Sequence, residues 1–357
     1  MASTPTVEST TSCTEEIKEI PTKAMVNGNN CTANSTNGMT SNGIEIKHNK
    51  SNGTTECSND NRFEEFQFTV PWGTVAGKWW GSRDRVPIIC IHGWCDNCGT
   101  FDNLAPLLVD EGHSLLCLDL PGHGFSSHIP PGMYYYLNWD GVMLVRRIVK
   151  HYKWDKIRLM GHSLGGCISF LYAAVFPDEV SHFICIDIAS PAVRSPEETV
   201  PKIGQLIDDF LLVEKNAHRT PKAGDYEKFV DLVHYAQHGN CTKDAVRVLL
   251  KRGMRQTSTD PPHFLFYADV RLRSFGLGFM YMHESEELAK QIKCNVLNIK
   301  ANTRTVSLNM EYYDRICDII KENAAKFEIH NVDGAHHLHL NDPNSIIHIV
   351  SNFLSGE

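Results

Sequence analysis

The hexapeptide Gly161-His162-Ser163-Leu164-Gly165-Gly166 constrains this chain more than any other stretch. Before it, Lys156 to Met160 reads as a short strand; after it, Cys167 to Phe176 reads as a buried, helix-like apolar run. A serine between strand and helix, with glycines two residues to either side, is the nucleophile-elbow pattern. The reason for the spacing is steric. A serine projecting from the end of a sheet sits in a strained turn, so the residues two before and two after it must lack a Cβ. The helix that follows points free N–H groups at the site, where they stabilise a developing negative charge.

The flanking sequence supplies the sheet that such an elbow needs. Phe63 to Val70 and Thr74 to Trp80 read as strands joined by Pro71-Trp72-Gly73, a hairpin signal. Val86 to Ile91 is a continuous apolar run of the kind that parallel strands bury on both faces. A helix over about Thr100 to Asp110, a strand Ser114 to Leu118 and a helix over about Tyr136 to His151 lead to the elbow strand. A further strand, His182 to Ile188, follows the elbow helix. The alternation resumes with a strand Asn295 to Ile299, a helix Met310 to Glu322, a strand Lys326 to Val332 and a helix from about Asn344 to Leu354. Strands and helices alternating at this spacing predict an α/β fold with a mostly parallel sheet covered on both faces.

Two segments break the alternation. Residues 1–60 are dominated by Ser, Thr, Asn and Gly, which bury too little apolar surface to offset their ordering entropy, and are expected to be disordered. The stretch from about Pro191 to Glu287 carries helix-like pieces such as Ile203 to Val213 and Lys243 to Arg252 but no clear buried strand, and reads as a helical insertion. The expected organisation is a domain over 61–355, with its core in 61–190 and 288–355 and a helical cap at about 191–287.

Charge and cysteine usage bound the partners. A net charge of −8, from 34 Lys+Arg against 42 Asp+Glu, argues against a nucleic-acid surface. No apolar run approaches the roughly 20 residues of a membrane span. Met1 to Cys13 has neither the basic nor the apolar region of a secretory signal. Cys90, Cys117, Cys185 and Cys294 lie in apolar runs, where a reduced cysteine is a small hydrophobe. Cys95-Asp96-Asn97-Cys98 lacks the second pair of a zinc site. The expectation is a reduced, cytoplasmic protein with no metal and no cofactor.

Several motifs in order resemble the α/β-hydrolase superfamily over nearly all of residues 63 to 355. They are His92-Gly93-Trp94 after a strand, Asp-x-x-Gly-x-Gly-x-Ser at 119 to 126, the elbow, and Asp333-Gly334-Ala335-His336 followed by Asn341-Asp342-Pro343. Val70-Pro71-Trp72-Gly73, His92-Gly93-Trp94-x-Asp96-Asn97, Gly122-His123-Gly124-x-Ser126-Ser127-His128 and Tyr134-Tyr135-Tyr136-Leu137 are similar to the serine hydrolase-like (kraken-like) proteins of animals. The resemblance implies an α/β-hydrolase fold, an eight-stranded sheet with helices on both faces and a cap between its sixth and seventh core strands.

It also assigns roles. Ser163 is the nucleophile, and His336, in a loop after the last strand, is the base that an unassisted hydroxyl needs. His337 and His339 stand beside it as alternatives; the distance from His336 to Pro343 favours His336. The usual home of the acid, the loop from Ala301 to Ser307, holds no carboxylate. Asp187, at the end of the sixth core strand, takes the role instead, with Glu311 and Asp314 as fallbacks. Asp119 is read as structural, holding the Gly-rich loop. The oxyanion hole falls to the backbone N–H groups of Trp94 and Leu164.

Serine at the elbow narrows the chemistry. Related epoxide hydrolases and dehalogenases place an aspartate there, because their alkyl-enzyme ester must be hydrolysed at its carbonyl; a serine would form an ether that no triad cleaves. Ser163 therefore implies acyl transfer to water, with a carboxylic ester leading and a small, apolar acyl substrate as the partner. Phe264 to Tyr267 and Phe279 to Met282 either line that acyl pocket or form the cap's own small core. The alternatives are a receptor-like fold that binds a ligand without turnover and a catalytically silent scaffold.

Overall fold

The computed structural model describes residues 62–217, 222–258, 260–274, 278–303 and 309–356. The low-complexity segment 1–60, and residues 304–307 of the loop where an acid is usually found, lie outside the described residues.

The described residues form ten strands: β1 (Phe63–Val70), β2 (Gly73–Trp80), β3 (Ile88–Ile91), β4 (Leu115–Leu118), β5 (Ile157–His162), β6 (Val180–Ile186), β7 (Met254–Gln256), β8 (Phe264–Phe266), β9 (Asn295–Ala301) and β10 (Lys326–Val332). Eight of them make one sheet in the order β1-β2-β4-β3-β5-β6-β9-β10. β2 runs antiparallel to β1 and β4, and every other neighbouring pair is parallel.

Hydrophobicity explains the order. β3 and β4, Ile-Ile-Cys-Ile and Leu-Leu-Cys-Leu, are buried at every residue, as central strands covered on both faces must be. β10 stands at the edge with no fully buried residue. Helices Asn138–Tyr152, Leu164–Val175 and Met310–Asn323 pack on one face through residues such as Val145, Phe170 and Ile316. Helices Ala105–Asp110 and Ile347–Ser355 cover the other with Leu108, Val350 and Phe353.

Two details depart from the sequence reading. The helix expected over about Thr100 to Asp110 is split into a 3-10 turn, Cys98–Phe101, and an α-helix, Ala105–Asp110. Asn97 caps the first by accepting from Gly99 N, and Pro106 fits only the first turn of the second. The segment between β6 and β9 is helical over Ile203–Asn216, Tyr226–Ala236 and Lys243–Gly253, but it also contains the antiparallel pair β7–β8. Those strands are three residues each and half-buried, too short to leave a periodic signal. Val230, Val246, Leu249 and Leu250 give this segment its own small core. Among the described residues no helix is long and apolar enough to cross a membrane.

Candidate active site

Ser163 sits between β5 and the helix Leu164–Val175 with φ 51° and ψ −116°, a backbone conformation that L-residues rarely adopt. Its neighbours allow it. An added Cβ at Gly161 would lie 2.2 Å from the Gly165 carbonyl, and one at Gly165 would lie 1.9 Å from the Ile91 carbonyl oxygen. These contacts are with backbone, which cannot move aside. Ser163 N donates to Ile186 O of β6 at 3.1 Å, fixing the turn to the sheet.

Asp187 follows β6 directly and also has positive φ, 56°. Its N–H donates to Ile299 O at 2.7 Å, and its Oδ1 accepts from Ala301 N at 2.8 Å, so the end of β9 aims the carboxylate. The other oxygen, Oδ2, lies 2.6 Å from His336 Nδ1. His336 follows β10 and is buried. Its carbonyl accepts a hydrogen bond from His162 Nε2 at 3.0 Å, which fixes the loop from behind. Glu311 and Asp314 lie exposed on the helix Met310–Asn323. His337 and His339 turn elsewhere: His337 Nε2 lies 3.0 Å from Asp96 Oδ2, and His339 Nε2 lies 2.9 Å from Thr100 Oγ1.

Two buried histidines hold the loop that carries Trp94. His92 Nδ1 donates to Gly93 O at 2.7 Å while its Nε2 accepts from Leu120 N at 3.0 Å. His123 Nδ1 donates to Pro121 O at 3.0 Å and its Nε2 accepts from Cys95 N at 3.3 Å. Each ring is used once as donor and once as acceptor, which requires the neutral form. Burial enforces it, lowering His92 and pulling His123 down to about 3. The Trp94 indole donates to Leu272 O of the insertion at 2.8 Å.

Ser163, His336, Trp94 and Leu164 line one cavity of 540 Å³, a size that suits a small organic molecule. Tyr134, Ile188 and Phe279 add apolar wall. Of the aromatic groups noted in the sequence, Phe279 reaches this cavity, whereas Phe264 and Phe266 pack on Tyr226 and Phe229 inside the insertion. The Ser163 hydroxyl makes no hydrogen bond to a described residue.

The model of the alpha/beta hydrolase fold family matches residues 86–343. The chain belongs to the α/β-hydrolase family. It is 43% identical over 295 residues to a probable serine hydrolase of Drosophila melanogaster, covering 83% of this chain and 88% of that one. It is 30% identical over 297 residues to a serine hydrolase-like protein of Danio rerio, covering 82% and 89%. Among solved structures, a hypothetical protein of Pseudomonas aeruginosa superimposes with a TM-score of 0.70 at 26% identity, covering 82% of this chain and 99% of that one.

The hydrolase also carries a buried polar group that sequence reasoning did not find. Asp96, His162 and His337 bring donor atoms within 4.8 Å of one another. Burial raises a carboxyl such as Asp96, but the His337 charge and the interactions with both His162 and His337 outweigh it and hold the group well below the usual carboxylate range. Burial likewise lowers His337, but Asp96 outweighs it and the ring is pushed up to about 10. His162 is pulled down to about 3, chiefly by burial, and stays neutral. The only trace of this group in the sequence is the run His336-His337-Leu338-His339; its partners lie too far away in the chain to form a local motif.

Asp119 anchors the Gly-rich loop of the hydrolase. It accepts from Cys98 N at 2.8 Å and Phe125 N at 3.0 Å, and Arg252 of the insertion donates to it through Nε and Nη2 at 3.0 and 2.8 Å. A Cβ on Gly124 would fall 2.3 Å from the Asp119 carboxylate, so the carboxylate and the bare glycine share one space.

Proposed function

We propose that this protein is a serine hydrolase that cleaves a small carboxylic ester with an apolar acyl group, through Ser163, His336 and Asp187. One observation carries the reading: the 2.6 Å contact between His336 Nδ1 and Asp187 Oδ2, with His336 and Ser163 on the wall of the same apolar cavity. Accepting from His336 Nδ1–H, Asp187 leaves Nε2 as the base. In the reaction Ser163 Oγ attacks the ester carbonyl while its proton passes to His336 Nε2. The oxyanion accepts from the backbone N–H groups of Leu164, at the helix N-terminus, and Trp94. The protonated ring then gives its proton to the leaving alcohol, and water repeats the sequence on the acyl-enzyme. The catalytic unit spans residues 61–355, its core in 61–190 and 288–355, with the insertion at about 191–287 as a cap over the acyl pocket.

A fluorophosphonate probe, which reacts only with an activated serine, tests this. Wild type is expected to label and Ser163→Ala to stay unlabelled, and wild type is expected to turn over short-chain esters. Folded wild type that neither labels nor cleaves esters would instead make the cavity a ligand-binding site without turnover.

A further inference from the structure

Asp96, His162 and His337 are 4%, 1% and 4% exposed, and their donor atoms converge within 4.8 Å. Asp96 Oδ2 lies 3.0 Å from His337 Nε2 and 3.6 Å from His162 Nδ1. An ion pair between Asp96 and His337 accounts for the first contact and leaves the second unexplained. His162 Nε2 faces the His336 carbonyl at 3.0 Å, which can only accept, so this nitrogen carries a proton. Nδ1 is buried without a hydrogen-bond partner and stands 3.6 Å from the Asp96 carboxylate oxygen. A buried nitrogen left without a hydrogen-bond partner beside a carboxylate oxygen suits a cation held between them.

The geometry points to a divalent transition cation of the Zn²⁺ class, bound by His162 Nδ1, His337 Nε2 and an Asp96 oxygen; we propose these three residues as a metal site. Donors around a tetrahedral ion with bonds of about 2.0–2.1 Å stand roughly 3.3 Å apart. The two Asp96 separations, 3.0 Å to His337 and 3.6 Å to His162, bracket that value, and all three donors lie within 4.8 Å of one another. Two imidazoles and one carboxylate suit Zn²⁺, Co²⁺ or Cu²⁺, whereas Mg²⁺ and Ca²⁺ favour all-oxygen shells. The second nitrogen of His162 already bonds a backbone carbonyl, as the outer nitrogen of a metal-bound histidine usually does. All three residues line the cavity that holds Ser163, which gives an ion its route in. A Cβ on Gly93 would stand 2.9 Å from His162 Nδ1 and 3.0 Å from Asp96 Oδ2; the glycine leaves that space clear. In the metal-free protein His337 Nε2–H donates to Asp96, and the cation takes the place of that proton, which is released. The site stands whether or not Ser163 turns over.

The test uses metal-free full-length protein. Zn²⁺ affinity is read by competition with a chromogenic chelator, and Co²⁺ serves as a spectroscopic probe. Expected are a single bound equivalent, visible d–d bands without thiolate-to-cobalt charge transfer, and binding weakened by about tenfold or more in Asp96→Asn and in His337→Gln. No stoichiometric binding, equal affinity in both variants, or a thiolate band placing the metal on cysteine would overturn the proposal. Should the variants fail to fold, anomalous scattering from a Zn²⁺-soaked wild-type crystal decides: density among the three side chains supports the site, and density only elsewhere refutes it.

Discussion

A carboxylate at the mouth of a hydrophobic sheet is costly unless its oxygens are occupied, and Asp187 has both occupied, one by Ala301 N and one by His336 Nδ1. In the proposed reaction its role is to fix the imidazole tautomer. Asp187→Asn keeps the shape but presents an amide that donates where an acceptor is needed, so the ring is held in the wrong tautomer. The expected result is a fall in kcat of about 10⁴ with the ester that wild type turns over best. The thermal midpoint is expected to move little, because the amide oxygen can still accept from Ala301 N. A variant with near-wild-type kcat would remove Asp187 from the mechanism.

At the scale of elements, the elbow helix and its neighbour meet through a glycine. Gly141, in the helix Asn138–Tyr152, faces Ile168 of the helix Leu164–Val175; a Cβ there would lie 2.3 Å from Ile168 Cδ1 and 2.7 Å from Cγ1. Gly141→Ala gains helix propensity of roughly 1 kcal/mol but overpacks a fully buried isoleucine, which costs about 1–3 kcal/mol. The overpacking is expected to win, lowering the unfolding free energy in a denaturant titration. Adding Ile168→Val makes room and is expected to return part of the loss, so a double-mutant cycle should give a favourable coupling. Additive effects would mean that the two helices separate enough to absorb the methyl group.

Across the whole molecule, the insertion and the sheet are joined by the buried pair Arg252–Asp119, with Glu65 of β1 on the other side of the guanidinium at 2.7 Å. Burial raises the Asp119 carboxyl, but Arg252 and the two N–H donors outweigh it and hold the group below its usual 3.8. The folded state therefore binds this proton more weakly than the unfolded chain. The contribution to stability is fully present above the unfolded value and is lost as pH falls through it toward the folded one. Asp119→Asn leaves a buried guanidinium with only Glu65 and is expected to cost about 3–5 kcal/mol at neutral pH. Its stability should also decline less steeply than wild type below about pH 4, measured by urea unfolding across a pH series. Parallel acid limbs in the two proteins would show that other carboxylates govern acid unfolding.

Local patterns were enough for the sheet and the elbow. Continuous apolar runs in β3 and β4 mark central parallel strands, and Gly161, Ser163 and Gly165 mark a turn whose steric needs are met within five residues. The family's motif order then picked out Ser163 and His336. The 3-10 break before Pro106 and the β7–β8 pair were missed because both are short and set by capping and packing rather than by period. Asp187 was one candidate among three in the sequence, and it is the one whose side chain meets His336. The sequence by itself determined the strands of the large sheet, their alternation with helices and the strained serine, since each follows from neighbours along the chain. Only the tertiary structure decided which carboxylate faces His336 and that Asp96, His162 and His337 share one buried space. Those pairs are separated by 149 residues for Asp187 and His336 and by 241 for Asp96 and His337. The physical reason is that contacts so far apart leave no periodicity or spacing to read; they come into being only when the parallel strands bring their ends to one edge of the sheet.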